Sequence, residues 1–140
     1  YPVELRDLLP TFLEIAGGTV PEDMDGRSLC TLVQHPHPVW RKYIDLEHAT
    51  CYSEDNYWCG LTDGKMKYIW NLHDGSEQLF DLQKDPTELH NCVMESEYGS
   101  VLGEMRDALV VHLQERGDVF VKNGKLQTLS HTLLYSPNFP

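Results

Sequence analysis

The sequence predicts an α+β fold, a small antiparallel sheet of three to four strands packed with a long C-terminal helix. Two observations carry that expectation. The first is Asp63-Gly64, flanked by sheet-forming runs rich in aromatic and apolar residues at 57–62 and 65–70. An Asp-Gly pair between two such runs is the strongest short hairpin signal a sequence carries. The second is the stretch from Ser96 to Arg116, where Val101, Leu102, Met105, Leu109, Val110, His112 and Leu113 form a broad stripe at helical spacing until Gly117.

The remaining elements follow in chain order. Asp7 to Gly18 reads as a short helix, with Leu9, Phe12, Leu13 and Ala16 at helical spacing and Pro10 suited to the first helical position. Gly17 and Gly18 stop it. Residues 19–38 form a connector broken by Pro21, Gly26, Pro36 and Pro38. Trp40 to Glu47 reads as a strand. A two-residue turn at Asp63-Gly64 would set Thr62 opposite Lys65, Leu61 opposite Met66, Cys59 opposite Tyr68 and Tyr57 opposite Trp70. Tyr57, Cys59, Leu61, Met66, Tyr68 and Trp70 then share the core face. The other face carries Thr62, Lys65 and Lys67 near the turn, with Trp58 opposite Ile69 at its far end, so both faces are expected to be at least partly covered. Asp74-Gly75 makes a second turn into a third run, Glu77 to Leu82. Asp85-Pro86-Thr87-Glu88 has the pattern of a capped helix start. Val119 to Val121 with an Asn123-Gly124 turn ends the readable part.

Composition narrows the function. With 140 residues, 41% hydrophobic and 24% charged, the chain has globular composition, and its net charge is −11. Acidity disfavours nucleic acid and anionic membrane as partners, since both reward a basic face. No apolar run reaches the length of a spanning helix. A first residue of Tyr1 rather than Met leads to the expectation that the chain is a piece of something longer. The charge is uneven: residues 71–118 carry −8 and residues 41–70 only −1. The acidic helix and its approach read as a solvated side, the nearly neutral strand region as a cleft side.

Few residues offer chemistry on their own. Cys30, Cys51, Cys59 and Cys92 read as buried free thiols, with two disulfides in any of three connectivities as the alternative, and the Cys51-x7-Cys59 spacing fits no zinc module. His35-Pro36-His37 reads as a surface loop, and Asp23-x-Asp25-Gly26 lacks the later ligands of a calcium loop. His90 and His112 read as packed or solvated. Glu47-His48 is the pair that stands out, because it ends a strand where the chain enters a polar loop, 50–56. Rigid scaffolds present functional side chains at such places. A His can donate to an anionic ester oxygen, and a neighbouring carboxylate can hold its tautomer.

Three stretches resemble one family. Asp7-Leu-Leu-Pro-Thr-Phe-Leu-Glu-Ile-Ala-Gly17 with Asp25-Gly-Arg-Ser-Leu29 resembles the segment closing the catalytic domain of sulfatases. Arg41-Lys-Tyr-Ile-Asp-Leu-Glu-His48 and Leu61-Thr-Asp-Gly-Lys-Met-Lys-Tyr-Ile-Trp70 resemble the C-terminal part of bacterial-type arylsulfatases. Gly75-Ser-Glu-Gln-Leu-Phe-Asp-Leu-Gln-Lys-Asp-Pro-Thr-Glu-Leu-His-Asn91 is similar to their tail motif, which other alkaline-phosphatase superfamily members share. The resemblance implies three parts: residues 1–38 as the end of a catalytic domain and connector, 39–118 as the C-terminal subdomain, and 119–140 as a tail extension. It implies an intact sulfuric ester hydrolase that uses calcium and a formylglycine made in a Cys/Ser-x-Pro-x-Arg motif. The chain has no such motif, so no catalytic residue is assigned in it. The implied partners are an upstream catalytic domain and, in the intact enzyme, a sulfate ester. His48 and Glu47 are the implied substrate contacts, with Lys65 and Lys67 weaker candidates. The rival readings are a phosphonate monoester hydrolase or phosphodiesterase of the same superfamily, and a non-enzymatic interaction or carbohydrate-binding module using Trp58 and Trp40.

Overall fold

The structure, a computed structural model, describes residues 1–48 and 53–129. Residues 49–52, among them Cys51 and the start of the polar loop, and the tail beyond Leu129 lie outside the described residues. The chain divides into two compact units, Tyr1–Ile44 and Asp45–Pro140.

The first unit is organised by one buried carboxylate. A 3₁₀ turn at Leu5–Asp7 leads into helix α1, Leu8–Ile15. Pro10 is the third residue of α1 rather than the first, because a capping box between Glu4 and Asp7 starts the turn earlier. Asp7 is fully buried. Its two oxygens accept both arms of the Arg41 guanidinium at 2.6 Å each, and the backbone N–H groups of Arg27 and Glu4 at 2.9 Å each. Burial alone would raise the carboxyl pKa, but these hydrogen bonds outweigh it and hold Asp7 below its ordinary value. Gly26 lets the connector close on this centre, since a Cβ there would lie 1.9 Å from the Arg6 carbonyl oxygen. Within the connector, a short helix α2 forms at Cys30–Gln34 that no sequence signal announced.

The second unit is a four-stranded antiparallel sheet, order β1-β2-β3-β4, with a long helix. The strands are β1 (Ile44–His48), β2 (Trp58–Thr62), β3 (Met66–Asn71) and β4 (Glu77–Asp81). Strand β1 is shorter than expected, beginning at Ile44 rather than Trp40. Helix α3, Gly99–Leu113, extends through 3₁₀ turns over Ser96–Tyr98 and Gln114–Arg116. The expected bounds of 96–116 match, and Gly117 stops the helix at φ 87°. Met105, Leu109 and Leu113, spaced by four, are its buried residues and pack with Tyr57, Cys59, Leu61, Tyr68 and Leu79 in the core. The second sheet face is covered too, with Ile69 and Phe80 each 6% exposed. Glu77 locks β4 to α3: it accepts the Tyr68 hydroxyl at 2.5 Å and Arg106 Nε and Nη2 at 2.7 and 2.8 Å. A small hairpin follows, β5 (Val121–Lys122) and β6 (Lys125–Leu126).

Two sequence expectations are corrected. The β2–β3 register is shifted by two residues: Thr62 pairs with Lys67, Leu61 with Tyr68, Gly60 with Ile69 and Trp58 with Asn71. The Asp63 carboxylate accepts the N–H groups of Lys65 and Met66 at 2.8 Å each. This opens a wider loop through Asp63, Gly64 and Lys65 in place of the tight turn, and only Gly64 takes positive φ. A shift of two leaves every side chain on its expected face. The second correction is 85–88, which is a turn and not a helix. Glu88 sits at φ 56°, and its carboxylate bonds Lys67 Nζ at 2.7 Å instead of completing a capping box.

Candidate functional site

The expected pair sits where sequence placed it, at the end of β1, and the two side chains part company there. Adjacent strand residues face opposite sides of a sheet. Glu47 turns toward α3 and forms an ion pair with Arg116, Oε2 to Nη1 at 2.8 Å. Asp45, two residues earlier, faces the same way, with His112 Nε2 at 3.9 Å from its Oδ2. The space lined by Asp45, Glu47, Cys59, Leu109, His112 and Arg116 leaves no room for a water. Burial, and then the Glu47 charge, push the Cys59 thiol up to about 12. Cys59 is therefore a packed thiol and not a nucleophile.

His48 turns the other way and is exposed. Its Nδ1 lies 2.7 Å from the carbonyl oxygen of Asn56. A carbonyl only accepts, so Nδ1 carries the proton and the neutral ring presents its lone pair at Nε2. A backbone carbonyl thus does the tautomer-holding job that sequence reasoning gave to a carboxylate. The imidazole stacks on Trp58, centroids 6.0 Å apart with planes 21° from parallel. The short 3₁₀ turn Glu54–Asn56 that supplies this carbonyl also carries Asp55, whose Oδ1 is 3.5 Å from His73 Nε2. Trp58 and Asn56 as neighbours of His48 were not legible beforehand. Seeing them needs the alignment of β1 with β2 and the path of the loop between them. Lys67, held by Glu88, is drawn into an ion pair.

Among the described residues, His90, Cys92 and Glu95 are the group of three His, Cys, Asp or Glu side chains whose donor atoms converge. An imidazole, a thiol and one carboxylate do not match the six to eight oxygen ligands that calcium takes. Among the described residues, no set of side chains fits the calcium implied by the resemblance. No helix among the described residues is long and apolar enough to cross a membrane.

Comparison with known proteins gives these elements a family. Residues 3–115 match the model of the N-sulphoglucosamine sulphohydrolase C-terminal family. An arylsulfatase of Clostridium perfringens is 35% identical over 124 residues, covering 89% of this chain and 25% of that protein. A solved protein in complex with its substrate, D-glucosamine-2-N,6-O-disulfate, superposes with a TM-score of 0.66 at 28% identity, covering 80% of this chain and 24% of the other. A phosphonate monoester hydrolase of Agrobacterium radiobacter, at 22% identity and a TM-score of 0.59 over 79% of this chain and 24% of its own, shares the fold. The chain spans about a quarter of the length of these relatives. It belongs to the N-sulphoglucosamine sulphohydrolase C-terminal family of sulfatases.

Proposed function

We propose that the intact protein is a sulfuric ester hydrolase, and that these residues pack on its catalytic domain and wall part of the substrate pocket. The observation that carries the reading is the family match over residues 3–115, together with 35% identity to an arylsulfatase. A second observation supports the packing. Leu9, Phe12 and Ile15 of α1 are 58–71% exposed, although their spacing is that of a buried helix face. Beside them lies an apolar groove of about 260 Å³, lined by Thr11, Ile15, Leu29, Cys30, Val33 and Gln34. Contiguous apolar surface of this kind marks a site that another surface covers.

Within that reading, His48 contacts the leaving-group side of the ester. Its Nδ1 is committed to the Asn56 carbonyl, so Nε2 accepts from a substrate hydroxyl when the ring is neutral and donates to an anionic oxygen when it is protonated. Glu47 is the second proposed contact, and its ion pair with Arg116 also lets it hold the strand end in place. The phosphonate hydrolase reading keeps the same fold and changes the ester. Paired assays on aryl sulfate and phosphonate monoester substrates separate the two.

The chain by itself is expected to turn over no aryl sulfate, with or without added calcium, while the full-length protein does. Measurable turnover by the pure chain would overturn the claim that the nucleophile lies elsewhere. In the full-length enzyme, His48→Ala is expected to lower kcat/KM about ten- to a hundredfold. That matches the roughly 1.5–3 kcal/mol of a hydrogen bond to a charged group. The circular dichroism spectrum should not change, because the ring is exposed. Unaltered kcat/KM across several sulfate esters would remove His48 from the substrate site.

A further inference from the structure

The geometry points to a binding site for a zinc-type divalent cation in the tail motif, formed by His90, Cys92 and Glu95. One ligand atom from each, an imidazole nitrogen, Sγ and a carboxylate oxygen, lies within 4.8 Å of the other two. The backbone that carries them is tied down on both sides. Asp85 Oδ2 accepts the His90 N–H at 2.8 Å. Asn91 Oδ1 accepts the N–H of Leu79 in β4 at 3.0 Å and that of Val93 at 3.1 Å. A 3₁₀ turn at Cys92–Met94 then closes with the Glu95 N–H on the Cys92 carbonyl at 3.0 Å. The result is a graded site. Cys92 is 4% exposed and forms its floor, while the imidazole and carboxylate stand at the rim, already paired Nε2 to Oε1.

The donor set selects the ion. A thiolate, an imidazole and one carboxylate suit borderline cations such as Zn²⁺ and Co²⁺, and they suit calcium or magnesium poorly. Bonds of about 2.3 Å to sulfur and about 2.0 Å to nitrogen and oxygen give tetrahedral ligand–ligand edges of roughly 3.3–3.6 Å. The present spread requires an adjustment of about 1 Å, which the exposed His90 and half-buried Glu95 side chains can make by rotation. Three protein ligands leave a fourth position for water. The balance of the binding step is simple: the Cys92 thiol, whose present acceptor is the His90 carbonyl oxygen at 3.7 Å, loses its proton to solvent as the metal–sulfur bond forms. The His90–Glu95 hydrogen bond breaks, and both groups turn to the metal. Neutral imidazole and thiolate are required, so affinity falls as pH falls.

Co²⁺ added to the reduced chain is the direct test. The expected result is a near-ultraviolet thiolate-to-cobalt charge-transfer band that saturates at one equivalent and disappears when Zn²⁺ is added. Cys92→Ser abolishes the band although Cys30, Cys51 and Cys59 remain. His90→Ala, at an exposed position, and Glu95→Gln, a near-isosteric change at a half-buried one, keep the circular dichroism spectrum and weaken Co²⁺ binding about tenfold or more. These two variants keep the test decisive if the buried serine variant fails to fold. No band at one equivalent, a band that survives Cys92→Ser, or unchanged affinity in both rim variants would each overturn the site.

Discussion

Asp7→Asn is expected to destabilise residues 1–44 by about 3 kcal/mol, the scale for removing one partner of a buried charge pair. The carboxylate is fully buried, and the Arg41 side chain facing it is only 11% exposed. The amide would keep one acceptor and turn an NH₂ toward the guanidinium, leaving one of its arms without an acceptor on residue 7. Glu4 Oε1, 3.2 Å from Arg41 Nη1, gives partial compensation. The backbone donors of Arg27 and Glu4 would also lose a charged acceptor, so the connector should loosen along with the helix start. Hydrogen exchange across residues 1–44 reads this directly, as faster exchange at the Arg27 amide. The pH dependence has a definite sign. The folded-state pKa of Asp7 is lowered, so its stabilisation is complete above the unfolded carboxyl value of about 3.9. It is lost as pH falls below that value through the folded pKa. The wild-type protein should therefore show an acid-induced loosening of this unit that Asp7→Asn flattens. A change under about 1 kcal/mol would mean that solvent screens the pair and that the carboxylate does not organise this unit.

Leu109→Ala should cost the second unit about 3 kcal/mol, within the 2–5 kcal/mol range for buried leucines. Leu109 has no exposed surface and sits between Met105 and Leu113 on the helix face that meets β2 and β3. The neighbouring gap beside Cys59 and Gly60 already excludes water, so the lost methyls would leave a void and not a hydrated pocket. For a unit of this size the expected fall in Tm is roughly 10 °C or more. Val111, on the same helix and 76% exposed, is the internal control. Val111→Ala should lie within about 0.5 kcal/mol of wild type. Equal effects at the two positions would mean that the 105–109–113 stripe is not the seam between helix and sheet.

The legible parts of this protein are those whose cause is local. Ser96 to Arg116 was readable as a helix because its apolar residues recur at the helical period and Gly117 supplies the positive φ that ends it. Alternation placed Tyr57, Cys59, Leu61 and Tyr68 on one face, and a face assignment survives any even shift of register. The two Gly turns show where local reading stops. At Asn123-Gly124 both residues take positive φ, 52° and 70°, and Lys122 pairs with Lys125 across the expected two-residue turn. At Asp63-Gly64 a similar dipeptide forms a wider loop, because the aspartate carboxylate bonds the backbone beyond it. The motif at 85–88 failed as a helix because Glu88 met Lys67, 21 residues away in sequence.

Candidate sites divide along the same line. His48 and Glu47 were visible as a pair at a strand end, since both belong to one short run. Strand alternation sends them to opposite sides, but the partners they reach there, Trp58 and Arg116, depend on elements 10 and 69 residues downstream. Neither that nor the burial of Asp7 under Arg41 carries any local signal. Secondary structure and family were encoded in spacing and short motifs, which neighbouring residues enforce through backbone geometry. The charge pairs, the hairpin register and the gathering of His90, Cys92 and Glu95 were decided by long-range packing, because a buried charge or an unpaired backbone group takes its partner from whatever the fold brings within hydrogen-bond reach.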